Sequence, residues 1–351
     1  MKYLMIALTL AFAASPAAAQ VETIVPPVVP GAAPVIVEKI KVHSQAMEGN
    51  LEGEPADRDV IVYLPPDYKT NPNKHYPVVY ALHGYWITNE KWSGEIHTPQ
   101  TTEGAFATGS KGMIVVLPNS WTIHNGSMYS NSATTGNFEG FIAHDLVTYI
   151  DSHYRTLPDR QSRGLAGHSM GGYGATRIGM KYPEVFGALY IMSPCCLSAR
   201  PAPTPEVGKQ LEAVTTLDEA AKVDGWARSN FATAAAWSPN PNKPPLYLDL
   251  PTKDGQPVPD IIAKWAANAP LSMIDQYISN LRQYHAIAID VGDQDGLKVD
   301  TVTLHQTLDA YGIANSFELY SGTHTSAVAD RFQNHVIPFF SKNLVFDPAT
   351  K

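Results

Sequence analysis

The sequence predicts an α/β architecture, with a mostly parallel central sheet and helices on both faces. Two observations carry this expectation. Short apolar runs bounded by turn signals alternate along the chain with stretches of helical periodicity, which is the pattern of βα units. In addition, residues 162–167 read as a buried strand, followed by a Gly-flanked serine and then a run of small residues that Pro183 stops.

Residues 1–19 have the make-up of a secretory signal peptide. Lys2 supplies the basic start, residues 4–14 the apolar stretch and Ala17-Ala18-Ala19 the small-residue cleavage site. The expected product is secreted or periplasmic. The apolar run is too short to span a bilayer, so no stable membrane insertion is expected.

Residues 20–36 form a proline-rich leader, expected to be extended with little packing of its own. The first part of the α/β core spans 37–197. Residues 37–42 and 59–64 alternate in polarity and predict an antiparallel edge pair, ended by Pro65-Pro66. Residues 77–82 and 111–118 are apolar runs that predict buried strands. Polar, glycine-containing sequence between them predicts helical or irregular structure.

Residues 119–137 are rich in Asn, Ser, Thr and Gly and predict a long exposed loop. Residues 137–153 predict an amphipathic helix, with Phe138, Phe141, Ile142, Leu146, Tyr149 and Ile150 on one face. After the serine turn, residues 186–193 predict another buried strand.

Over 198–281 the rhythm stops. Prolines, short helical runs and the aromatics Trp226, Phe231, Trp237, Tyr247 and Trp265 fill a stretch that starts and ends between two core strands. It is expected to be a cap insertion, its aromatics mainly packing a core. The second part of the core, 282–351, predicts a strand at 285–291 and a helix over 300–311 ended by Gly312. A last strand follows at 316–320, then a final helix from about residue 326.

Composition narrows the function. With 44% hydrophobic and 17% charged residues the chain is an ordinary globular sequence, and a net charge of −8 without basic runs argues against nucleic-acid partners. The two cysteines are neighbours, Cys195 and Cys196, so no spread disulfide framework staples the fold. Such a pair forms either a vicinal disulfide or two small free thiols.

The chemistry centres on Gly167-His168-Ser169-Met170-Gly171, a G-x-S-x-G nucleophile elbow of the kind found in α/β-hydrolases. The turn exposes Ser169 Oγ and sets the Met170 amide at a helix start, where an oxyanion develops. A serine hydroxyl needs a histidine to take its proton and a carboxylate to orient that histidine, and in this fold they follow in the order Ser, Asp/Glu, His. After Ser169 come His285, His305, His324 and His335. His285 begins a strand, His305 lies within a helix and His335 lies along the last helix. His324 occupies the loop after the last strand and is the expected base.

For the acid, the loop after the strand at 285–291 offers Asp293 and Asp295, which spacing does not separate. An EF-hand reading fails, because Val291 and Val302 stand where calcium ligands belong. The second oxyanion donor is expected from the loop after residues 77–82, which makes the Tyr85 amide the candidate.

Leu82-His83-Gly84, Gly167-His168-Ser169-Met170-Gly171-Gly172, Gly292-x-x-Asp295 and Gly322-x-His324 together resemble the esterase D-like, or putative-esterase, family of α/β-hydrolases. That family includes S-formylglutathione hydrolases, feruloyl and acetyl-xylan esterases, enterochelin esterases and mycolyltransferases. The resemblance spans roughly 37–344, the insertion excepted. It implies the α/β-hydrolase fold, and it picks Asp295 over Asp293 as the catalytic acid. It implies a serine carboxylic-ester hydrolase that needs no cofactor and acts on a small-molecule or saccharide-linked ester. Two other readings are an acyltransferase using the same acyl-enzyme and a non-catalytic binding protein on the same fold.

Overall fold

The computed structural model describes residues 21–346, so the expected signal peptide lies outside the described residues. One eight-stranded sheet organises the chain. Its strands are β1 (Ile36–His43), β2 (Asp57–Leu64), β3 (Val78–Leu82), β4 (Ile114–Pro118), β5 (Arg163–His168), β6 (Ala188–Met192), β7 (Ala286–Gly292) and β8 (Ser316–Tyr320).

The spatial order is β1-β2-β4-β3-β5-β6-β7-β8. β1 pairs antiparallel with β2, and β2 with β4, while every pairing from β4 onwards is parallel. This is the expected α/β-hydrolase arrangement. Strands β3 to β6 are buried along their whole length, as continuous apolar runs require when helices cover both faces. The order of connection reverses between β3 and β5. The crevice at their C-terminal ends is therefore where an open α/β sheet offers a site.

The principal helices are α1 (Asn89–Glu95), α2 (Thr98–Ala107), α3 (138–153, with one π turn at Phe141–Asp145), α4 (Met170–Lys181), α5 (Lys298–Ala310) and α6 (328–343). Helix α4 lies almost wholly buried against β5 and β6. It can do so because its glycines give the strands room: a Cβ on Gly179 would stand 2.6 Å from Leu189.

Two stretches differ from the sequence expectation. Residues 120–137 are mostly buried rather than exposed. Their polar side chains serve the neighbouring chain, with Thr134 Oγ1 donating to the Tyr247 carbonyl at 2.6 Å and Trp237 Nε1 donating to Ser130 Oγ at 3.1 Å. A polar composition had suggested solvent, but most of the hydroxyls are buried with hydrogen-bond partners, as those of Thr122, Ser130, Ser132 and Thr134 are. The leader also packs. Val21 and Val35 are buried, and the Ile24 amide donates to the Ser326 carbonyl at 2.8 Å. Thr23 Oγ1 accepts from the Ala329 amide at 3.0 Å, and Val35 N donates to Glu103 at 3.0 Å.

The stretch 198–281 leaves after β6 and returns before β7 as a set of short helices, the longest Ser229–Trp237. Phe231, Trp237 and Trp265 are buried in the core that covers one face of the sheet, so these aromatics are packing residues. No helix among the described residues is long and apolar enough to cross a membrane.

Candidate active site

The turn between β5 and α4 holds Ser169 at φ 59 and ψ −115, a conformation disfavoured for residues with a side chain. Close backbone approach enforces it. A Cβ on Gly167 would stand 2.1 Å from the Gly171 carbonyl oxygen, and one on Gly171 2.0 Å from that of Leu82. No side chain fits at either position, so the two glycines are steric requirements of the elbow. The Ser169 amide donates to Met192 at 3.1 Å, which fastens the turn to β6.

His324 lies in the loop after β8, and its ring spans two partners. Nε2 lies 2.9 Å from Ser169 Oγ, and Nδ1 lies 2.8 Å from Asp295 Oδ2. Asp295 is almost wholly buried and His324 partly open to solvent. Burial pushes the Asp295 carboxyl up, but the hydrogen bond and charge of His324 and the Leu297 amide outweigh it, and the net shift is downward. The carboxylate is thus held ionised against the Nδ1–H of the imidazole, leaving Nε2 to accept from the serine hydroxyl.

Asp293, which spacing alone left as a rival, does something different. Its Oδ1 accepts from the Gly322 amide at 3.0 Å, tying the loop after β7 to the loop that carries His324. The remaining later histidines lie elsewhere: His285 contacts the Asn343 carbonyl, His305 Asn315 and His335 Arg331.

Tyr85 follows the glycine that closes β3. A Cβ on Gly84 would stand 3.4 Å from Ser169 Cβ, so this backbone passes directly beside the candidate nucleophile. His83, fully buried, sets its orientation. The Ser120 amide donates to His83 Nε2 at 2.9 Å, which leaves the proton on Nδ1, and that N–H donates to the Gly84 carbonyl at 2.8 Å. In a trans peptide the carbonyl and the following N–H point in opposite directions, so fixing Gly84 O aims the Tyr85 amide away from His83. Burial lowers the His83 pKa to about 4, so the ring stays neutral and can keep both roles.

The side chains of Tyr85 and Met170 meet over Gly126. A Cβ there would stand 2.7 Å from Met170 Sδ and 2.8 Å from the Tyr85 ring. On its other side Tyr85 stacks on Trp226 of the insertion, with ring centroids 6.1 Å apart, and Trp226 is 72% exposed.

Sequence reasoning missed two contributors, His83 and His168, because buried histidines that bond to backbone leave no spacing pattern. His168 Nε2 lies 2.8 Å from the His324 carbonyl oxygen, and burial lowers its pKa to about 3. The only available signal was their position, each next to a turn glycine or the serine itself. A cavity of about 680 Å³ between β7, β8 and α6 is lined by His285 and His335 but by none of Ser169, His324, Asp295, Tyr85 and Met170. Among the described residues no group of three or more His, Cys, Asp or Glu side chains is gathered as metal ligands would be.

Residues 54–339 match the model of a protein family described as putative esterase. An esterase of Mycobacterium tuberculosis is 33% identical over 127 residues, 35% of this chain and 26% of that one. The S-formylglutathione hydrolase of Paracoccus denitrificans is 26% identical over 179 residues, 46% of this chain and 59% of that one. The chain therefore spans under two thirds of the length of these curated relatives. Among solved structures, a ferulic acid esterase superposes with a TM-score of 0.64 at 24% identity, covering 88% of this chain and 99% of that one.

Proposed function

The chain belongs to the putative esterase family, and on that premise we propose that it hydrolyses carboxylic esters through an acyl-enzyme on Ser169. One observation carries the reading: His324 bridges Ser169 Oγ at 2.9 Å and Asp295 at 2.8 Å. In this reading His324 Nε2 takes the serine proton as Oγ attacks the ester carbonyl, and Asp295 stabilises the imidazolium that results. The Tyr85 and Met170 amides bind the oxyanion of the tetrahedral intermediate. His324 returns the proton to the leaving alcohol. A water then repeats the sequence on the acyl-serine and releases the acid. Every proton moves within this site, so the proposed chemistry calls for no cofactor.

The substrates proposed are feruloyl-type or short acyl esters. The ferulic acid esterase supports the first by likeness of fold, and the exposed face of Trp226 beside Tyr85 offers an aromatic acyl group a surface to stack on. We also read the protein as exported, on the composition of residues 1–19.

The test is hydrolysis of short-chain nitrophenyl esters and methyl ferulate by the wild type and Ser169→Ala. A loss on the order of 10⁴- to 10⁶-fold in kcat is expected for the variant. Equal rates in the two proteins would overturn the reading.

A further inference from the structure

Cys195 and Cys196 follow β6 on the wall of the candidate site. The Cys195 amide donates to the Ser169 carbonyl at 3.0 Å, so the pair is one hydrogen bond from the nucleophile's own backbone. The two Sγ atoms stand 2.8 Å apart. Closing a bond of about 2.05 Å between them takes a displacement of less than 1 Å. Consecutive Cα atoms are about 3.8 Å apart, closer than in most disulfides, so neighbours bond only where the backbone turns their side chains together. That turn is present: Cys196 is held at φ 59, in the left-handed region that a residue with a side chain rarely adopts.

Both residues are half-buried, at the edge of the core rather than sealed within it. Cys196 is the more acidic of the two: the hydrogen bond between the thiols and the nearby Arg200 guanidinium lower it, while the same bond and burial raise Cys195. The pair thus sets the more acidic thiol, the one suited to attack, in contact with a second thiol placed to resolve. The ester chemistry uses neither.

We propose that Cys195 and Cys196 form a reversible redox modification site, closed to a vicinal disulfide by exchange with a small-molecule disulfide, and that its state tunes turnover at Ser169. The Cys196 thiolate attacks one sulfur of the small disulfide, forming a mixed disulfide and releasing one small thiolate. Cys195 loses its proton and attacks Cys196 Sγ, releasing the second. The pair loses two electrons, the small disulfide gains them, and the two thiol protons finish on the two small thiols. The link to catalysis is mechanical. The bond stiffens residues 195–196, which hold Ser169 O at one end and continue to Leu197 at the other, whose carbonyl accepts from Leu271 of the insertion at 2.9 Å.

The experiment treats the full chain with glutathione disulfide, then with a dithiol reductant. Intact mass, iodoacetamide labelling and kcat/KM on nitrophenyl acetate are followed at each stage. The expected oxidised form is lighter by two hydrogen atoms, takes no label and differs in kcat/KM by roughly threefold or more, all reversed by the reductant. Cys195→Ser and Cys196→Ser should show no bonded form and no such response. Two labelled thiols at excess glutathione disulfide, or a persistent glutathione adduct, would overturn the site. A bonded pair with unchanged kcat/KM would overturn the coupling. The mass and labelling readouts do not depend on ester hydrolysis, so they separate failure of this proposal from failure of the proposed activity.

Discussion

The His168 imidazole donates through Nε2 to the backbone carbonyl of His324 at 2.8 Å, so the residue before Ser169 holds the residue that contacts it. The two rings also lie 4.7 Å apart. Replacing His168 with alanine frees one end of the His324 loop without touching the reacting atoms. A fall in kcat of roughly tenfold is expected, with partial recovery in His168→Gln, which keeps a donor. Steady-state kinetics on one nitrophenyl ester checks this, and rates equal to wild type in both variants would contradict it.

The same burial predicts acid sensitivity. His83 and His168 have folded pKa values of about 4 and about 3, against about 6.5 unfolded. Below pH 6.5 the unfolded chain binds protons that the folded chain refuses, so stability falls with pH through the window from 6.5 to about 4. Each histidine contributes up to about 1.4 kcal/mol per pH unit there. Urea unfolding at pH 7 and pH 5 should show a larger loss for wild type than for His168→Gln; equal losses would place His168 outside this balance.

Asp293 and Asp295 should separate sharply. Asp295→Asn removes the group that fixes the His324 tautomer and is expected to lower kcat by about 10⁴-fold. Asp293→Ala removes one acceptor for the Gly322 amide, and a loss of about tenfold with a lower Tm is expected. Comparable losses in the two would mean that the acid role is shared.

Gly126→Ala tests the oxyanion hole from behind. The added methyl has no room against Met170 Sδ and the Tyr85 ring. Overpacking of this kind costs about 1–3 kcal/mol. Displacing these two residues should lower kcat while KM stays within about twofold. A change confined to KM would argue against their amides as transition-state donors.

Trp226→Ala tests the aromatic surface. KM for methyl ferulate should rise by roughly five- to tenfold, with nitrophenyl acetate little affected, since an exposed stacking contact contributes about 1 kcal/mol. An equal effect on both esters would point to Trp226 as a prop for Tyr85 instead.

The sheet was legible because its inner strands are apolar runs separated by turns and its first two strands alternate, and the elbow because two glycines flank its serine. Ser169 followed from that motif, and His324 from chain order together with its place in the loop after the last strand. Asp295 needed the family resemblance, since Asp293 sits two positions away on the same loop and only the fold shows that it reaches Gly322 while Asp295 reaches His324. Residues 120–137 misled because hydroxyls and amides read as solvent-facing in a sequence, whatever they bond to in the fold. Prolines 26–34 misled similarly: they signal an extended chain, and an extended chain can lie flat against a folded one.

The leader has a consequence for how the protein is made. Thr23 and Ala329 are bonded across 306 positions, and Ile24 meets Ser326 only two residues beyond the candidate base. A ribosome that has synthesised the elbow has produced Ser169 without His324. One of the leader's partners lies 306 positions further along the chain, beyond the elbow. Until residues 324–329 arrive, the leader lacks its bonds to Ser326 and Ala329, and Ser169 lacks its contact with His324; both are made together.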